Sequence, residues 1–292
     1  MKIHLIIELK DIENLGYYID SLKRLGTITH ISKFFPIVFL VTEDTNISFI
    51  RNLPYVVTAI IDEIAQVQGH ISTRENVITT LQVKQILHAD KTELTGKNVL
   101  VAILDTGIQT DHPALYGKIL QSFNFSNSYT PEDLFGHGTH VAGILAGRNV
   151  ETPFGTMEGF APDVSIYNIK VLNDDGAGAI SNVIKGLEKC IELKVNLVNF
   201  SAGTRSFGNI TVQDKIVNTM ADMGIFVCSA SGNEGITPVD TPSIAQNSIC
   251  VGSISLQGFK DNYSNYRGLD YVKPDVCSIG TDIASSATGE LD

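Results

Sequence analysis

The sequence predicts an α/β protein, a parallel sheet covered by helices on both faces, preceded by a smaller α+β unit. Three observations predict it. From about Val77 onward, near-continuous apolar runs of strand length alternate with helical segments, the pattern of a sheet buried on both faces. Before Val77, shorter elements alternate in a tighter rhythm. The chain has 292 residues, 43% apolar and 18% charged, enough for one large core and a small companion domain.

In the first unit, assigned to residues 1–68, "KIHLIIEL" reads as a strand and "DIENLGYYIDSLKRLG" as a helix, with Asp11 capping its first turn and Gly26 ending it. "ITHISKF" and "IVFLVT" follow as strands, "NISFIRNL" as a helix and "VTAIIDE" as an extended segment. This β-α-β-β-α-β order is the split βαβ arrangement of small ferredoxin-like domains. "EIAQVQGHISTREN" reads as a linker, with residues 69–76 as the stretch between domains. In the second unit, residues 77–292, the expected buried strands are Asn98 to Leu104, Val164 to Leu172, Val195 to Phe200, Ile225 to Ala230 and Ser248 to Ile254. The helices between them include "AISNVIKGLEKCIELK" and "TVQDKIVNTMADMG", the latter ending at Gly224.

A net charge of −11 with no basic cluster gives no electrostatic case for nucleic acid. The apolar N-terminal run breaks at Glu8 and Lys10 with no small-residue cleavage site after it, so no secretory signal is expected and the location expected is cytoplasmic. "FFPIVFLV" is far shorter than the roughly 20 residues of a membrane span, so no membrane partner is expected. The widely spaced Cys190, Cys228, Cys250 and Cys277 form no C-x-x-C pair and read as small buried hydrophobes.

Chemistry in such folds collects at the carboxyl ends of the strands. Directly after "NVLVAIL" stand Asp105, Thr106 and Gly107; alone, Asp105 reads more readily as a turn or cap residue than as a catalytic one. "GHGTHVAGILAG" sets His137 between two glycines at a helix entrance, with His140 one turn on. A metal reading of the two histidines lacks a third and fourth ligand at recognisable spacing. "SGNEG" puts the Asn233 amide among glycines at a strand end, suited to donate to a developing oxyanion, although alone it is a loop.

Taken together, "VAILDTGIQTDHPAL", "GHGTHVAGILAG", "GFAPDVSIYNIKVL", "VNFSAGT" and "SASGNEG" resemble, in order and spacing, the subtilisin-like serine proteases, from about Val77 to the end of the chain. The first unit resembles that family's propeptide, an intramolecular chaperone and temporary inhibitor. The resemblance implies a serine endopeptidase in which Asp105 orients the imidazole, His137 is general base and then general acid, and Asn233 is the oxyanion donor. It makes His140 a structural histidine. It implies that an extended polypeptide substrate pairs with Ser201, Ala202 and Gly203 on one edge and with "DDGAG", including Ala177 and Gly178, on the other. The wall of the primary specificity pocket becomes Ala230, Ser231 and Gly232, with Glu234 at its rim and Asp240 near its floor.

The family's nucleophile lies in a G-T-S-M-A segment after "KPDV". Here "VKPDVCSIGTDIASSATGELD" follows instead, and Ser285 and Ser286 match the stretch before the nucleophile loop. The expectation is therefore a chain that ends before the nucleophile and is inactive by itself, its missing segment encoded downstream or supplied by a complementing polypeptide. The alternatives are a non-catalytic peptide-binding pseudoprotease and a decayed gene product. No cofactor is expected. Ala114 stands where extracellular members commonly carry a calcium-binding aspartate, which argues against calcium there, and "CSIG" replaces the family's A-P-G.

Overall fold

The computed structural model describes residues 1–67, 77–235 and 238–289, so the expected linker over 69–76 lies outside the described residues. The first unit runs β1 (Lys2–Leu9), α1 (Leu15–Leu22), β2 (Gly26–Ile31), β3 (Ile37–Glu43), α2 (Ile47–Arg51) and β4 (Val56–Ile61). Its strands pair in the order β2-β3-β1-β4, every pairing antiparallel, the split βαβ topology. Strand alternation gives this sheet two buried faces. Leu5, Ile7 and Leu9 of β1 join a cluster with Tyr18 and Leu22 of α1 and Ile50 of α2, while Ile6 points the other way into the main core of the chain.

Two details of this unit differ from expectation. The Asp11 carboxylate accepts the Asn14 N–H at 2.9 Å, closing a turn ahead of the helix rather than capping its first turn. Gly26 opens β2 instead of ending α1; a Cβ there would lie 2.3 Å from the Val41 carbonyl oxygen, so glycine permits close strand approach.

The first unit closes with β5 (Ile64–Val67); the short β6 (Ile78–Thr79) and α3 (Thr80–Ile86) come next, the helix opening on a Thr79/Gln82 capping box. The second unit then runs β7 (Leu100–Asp105), β8 (Ile119–Asn124), α4 (His137–Ala146), the hairpin β9 (Val150–Thr152) and β10 (Gly155–Met157), β11 (Ser165–Lys170), β12 (Ala177–Ala179) and α5 (Ile180–Leu193). It continues with β13 (Leu197–Phe200), β14 (Ala202–Gly203), α6 (Val212–Asp222), β15 (Phe226–Ala230), β16 (Ile249–Ile254), β17 (Val276–Ile279) and β18 (Ile283–Ala284). Seven of these strands form one parallel sheet, ordered β17-β16-β15-β13-β7-β11-β8. Its five inner strands are the expected ones; the two edges, β8 and β17, carry exposed positions and no continuous apolar run.

The first unit docks on α5 and α6. Ile6, Phe35, Ile37 and Phe39 enter the same buried cluster as Ile184 and Leu187 of α5 and Ile216 of α6. Around this contact His30 Nε2 meets Glu188 Oε2 at 2.8 Å, Lys33 pairs with Glu192 at 2.6 Å and Lys215 with Glu8 at 2.7 Å. The residue before α5 is Ala179, which has no capping group; Asp62 from the first unit takes that role, accepting the Ser181 N–H at 2.9 Å and its hydroxyl at 2.6 Å.

Of the four cysteines, Cys190 and Cys250 are buried and Cys228 half-buried, but Cys277 is exposed on edge strand β17, contrary to the buried reading. Among the described residues no helix is long and apolar enough to cross a membrane.

Candidate active site

Strand β7 delivers Asp105 to its carboxyl end, where the residue is buried. Its Oδ1 accepts the Thr106 N–H at 2.8 Å and faces His137 Nδ1 at 2.7 Å. With a carboxylate opposite, Nδ1 carries the hydrogen, which leaves the Nε2 lone pair as the basic site of the ring. His137 is the first residue of α4, behind Gly136 at φ +104°. Gly138 lets helix and strand end meet: a Cβ there would lie 2.0 Å from the Gly107 carbonyl oxygen and 3.1 Å from Asp105 Cβ.

The start of α4 is organised by Asp133, which the sequence reading did not single out. Its buried Oδ1 accepts from Thr106 Oγ1 (2.9 Å), Phe135 N (3.1 Å) and Gly136 N (2.8 Å), and its Oδ2 accepts Thr139 N and Oγ1, both at 2.8 Å. Thr106 Oγ1 in turn accepts Gly138 N at 3.0 Å. A carboxylate at a helix start meets both the unpaired amides and the positive end of the macrodipole. Lys170, fully buried, adds a second tie: it donates to the Thr106 carbonyl, reaches the Glu132 carbonyl at 3.2 Å and pairs with Asp174 at 2.8 Å.

His140, one turn on, points elsewhere: its Nε2 donates to the Ile283 carbonyl at 3.2 Å, and burial pushes its pKa below the ordinary imidazole value. Ser285 donates to the His140 carbonyl at 2.7 Å, and both Ser285 and Ser286 press against Gly143, where a Cβ would meet their hydroxyl oxygens at 2.4 and 2.6 Å. Among the described residues no group of three His, Cys, Asp or Glu side chains could hold a metal ion, and Ala114 is buried.

Beside this pair the two expected edges enclose a strand that the sequence reading assigned to a linker. β5 lies between β12 and β14, antiparallel to both, with Ala177 opposite Gln66, Gly178 opposite Ala65, Ala202 opposite Val67 and Gly203 opposite Gln66. Val67 N donates to the Gly176 carbonyl at 3.0 Å, and Ala65 is fully buried. A four-residue segment held by main-chain bonds carries no hydrophobic period to announce it.

The remaining residues gather at neighbouring strand ends. β13 pairs with β7 on one side and with β15 on the other, Phe200 opposite Ser229, so Ser201 runs alongside Ala230. Asn233 follows in the exposed turn after β15, between Gly232 at φ +110° and Gly235 at φ +69°. Glu234 is about half exposed and pairs with Arg205 at 3.4 Å. Asp240 is 3% exposed, and its N–H donates to the Ser231 carbonyl at 3.0 Å. The geometry thus holds an imidazole oriented by a buried carboxylate, beside a groove that accepts an extended backbone from both sides.

Residues 96–291 match the Subtilase family. The chain is 39% identical to Subtilisin BL of Lederbergia lenta over 184 residues, covering 63% of this chain and 66% of that protein. It is 33% identical over 192 residues to the Thermophilic serine proteinase of Bacillus sp. (strain AK1), covering 65% and 45%. Over 189 residues it is 36% identical to Subtilisin E of Bacillus subtilis (strain 168), covering 62% and 48%. The chain thus spans between about half and two-thirds of the length of these relatives. With the family match spanning most of the second unit and the aspartate–histidine pair seated at the end of its central strands, the chain belongs to the subtilase family.

Proposed function

We propose that this chain carries the substrate groove and the aspartate–histidine half of a serine endopeptidase site, with residues 1–68 acting as an intramolecular inhibitor. The observation that carries the reading is the 2.7 Å contact of His137 Nδ1 with the buried Asp105 carboxylate, beside a groove that already holds an extended strand. Asp105 fixes the tautomer and stabilises the imidazolium; His137 Nε2 takes a proton from the nucleophile and returns it to the leaving amine. Asn233 donates to the oxyanion. The relatives' names, Subtilisin and serine proteinase, support the same chemistry. Strand β5 supports the inhibitor role, since it takes the main-chain positions an extended substrate would use.

Hydrolysis then needs a serine beyond the residues present here, because Ser285 is committed to the His140 carbonyl and Ser286 is packed on α4. The 292-residue chain is expected to stay unlabelled by a fluorophosphonate probe and to leave peptides intact. Joining a family-type G-T-S-M-A segment with its helix is expected to bring both labelling and hydrolysis. In that joined protein Asn233→Ala should lower turnover about 10²–10³-fold, the range known for an oxyanion-hole asparagine in a subtilisin. Labelling of the 292-residue chain overturns the reading, and so does a joined, folded protein that gains no activity.

A further inference from the structure

We propose that Lys170 is a positioning residue of the Asp105–His137 pair: its buried ammonium clamps the strand end that carries Asp105 to the loop that starts α4, and it supplies positive charge behind the pair. This rests on reading His137 as the base of a hydrolytic site and adds the residue that sets its geometry and charge.

Register places the lysine. Val101 and Ile103 of β7 and Ile166 of β11 share a buried cluster with Ala142 and Ala146 of α4, so Asp105 and Lys170, an even number of residues further along their strands, project to that same face. The two are direct partners in the parallel pairing of β11 with β7. Lys170 is fully buried, and the three N–H groups of its ammonium are matched by three acceptors. They are the Thr106 carbonyl, the Glu132 carbonyl at 3.2 Å and Asp174 Oδ1 at 2.8 Å.

Each acceptor leads to a different part of the site. Thr106 follows Asp105, donates its N–H to Asp105 Oδ1 at 2.8 Å and accepts Gly138 N at its Oγ1 at 3.0 Å. Glu132 precedes Asp133, whose carboxylate holds the amides at the start of α4. Asp174 stands in the turn before β12, where Asn173 N donates to the Ala177 carbonyl at 2.8 Å, so the third bond reaches the edge of the groove.

Charge makes the lysine more than a staple. Asp105 and Asp133 are both buried, and Asp105 Oδ2 has no hydrogen-bond partner among the described residues. A buried carboxylate with an unbonded oxygen is held as an anion by positive charge nearby. The other charged and titratable groups around the pair do not supply it. Asp133 and Glu132 in the loop before α4 and Asp174 beyond β11 are carboxylates, and burial pushes the pKa of His140 on α4 below the ordinary imidazole value.

The test uses the full chain with isotope-labelled histidine, His137→Gln and His140→Gln serving only to assign the ring signals. The titration midpoint of His137 is read by NMR between about pH 4 and 10. Lys170→Met keeps the length but removes the charge and the donors, and should raise the midpoint by at least about half a pH unit, because the imidazolium no longer faces the ammonium. Asp174→Asn removes the opposite charge from the same cluster and should lower the midpoint, by less, since Asp174 is 38% exposed and screened by solvent. Lys170→Gln, neutral but still a donor, should shift the midpoint in the same direction as Lys170→Met and stands in where the methionine variant does not fold. Urea unfolding reports the folding of each variant. A loss of stability with a rise smaller than half a pH unit is the result of a purely structural lysine and overturns the proposal. Shifts of the same sign in the Lys170 and Asp174 variants, or collapse of both Lys170 variants, also overturn it. A parent chain in which His137 lacks either the low-field Nδ1–H resonance or a titration overturns the reading of the pair itself, and this proposal with it; a parent that shows both leaves that reading standing whatever the variants do.

Discussion

Removing the Asp133 carboxylate should loosen the helix that carries His137. The side chain accepts five hydrogen bonds, three from main-chain amides and two from threonine hydroxyls, in a buried position. Each bond to a charged acceptor contributes about 1.5–3 kcal/mol, and each buried amide left unpaired costs about 1–3 kcal/mol. The five share one acceptor and do not add, the two hydroxyls can rotate to other partners, and water can enter the space left by Asp133→Ala. The working figure for that change is therefore about 3–5 kcal/mol, a large fraction of the roughly 5–15 kcal/mol of a typical domain. Asp133→Asn keeps one acceptor oxygen but turns an NH₂ toward donors, and should cost about 2–3 kcal/mol. Urea unfolding at neutral pH measures both, and the low-field proton resonance of His137 Nδ1–H reports whether the contact to Asp105 persists. A loss below about 1 kcal/mol for the alanine variant, with that resonance unmoved, would refute the role given to Asp133.

Two further outcomes follow from the same physics. His140 and His112 are both pushed below the ordinary imidazole pKa by burial, so the unfolded chain takes up their protons first. Their contribution to stability is full above about pH 6.5 and is lost as pH falls below it; His140→Gln should flatten the slope of urea midpoint against pH between 7.5 and 5, and an unchanged slope would exclude His140 as a source. Cys277 is the exposed thiol, whereas burial raises the pKa of Cys190 and Cys228 and pushes Cys250 up to about 12. Ellman's reagent should therefore label Cys277 rapidly in the native protein and all four thiols only after unfolding; rapid labelling that survives Cys277→Ser would contradict this assignment.

The five inner strands were legible because a central parallel strand is apolar on both faces and needs no periodicity to be seen. Asp105 and His137 were legible as polar residues at a strand end and at a helix entrance, and the neighbouring glycines already pointed to close backbone approach. The edge strands β8 and β17 were not, since exposed positions interrupt their apolar runs. Strand β5 was hidden for a different reason. "IAQV" is stabilised by main-chain bonds to segments more than 100 residues away, and main-chain bonding leaves no mark on composition. Asp62 escaped notice in the same way, because it caps α5 from another unit of the chain. Asp133 did carry a signal: an aspartate shortly before a glycine and a helix start is a capping pattern, readable in "DLFGHGTH".

The first unit lends Ile6, Phe35, Ile37, Phe39 and Ala65 to the cluster that α5 and α6 build, so the seam between the two units runs through the inside of one hydrophobic core. Burying a large apolar side chain stabilises by about 1.5–3 kcal/mol, so lifting this face away exposes surface comparable in free energy to the whole margin by which a domain stays folded. Cooperativity is therefore expected not to stop where the first unit ends: on heating, the two units should share one transition. Cutting the chain between them should not by itself separate them, because the shared core would hold the severed piece as a bound subunit.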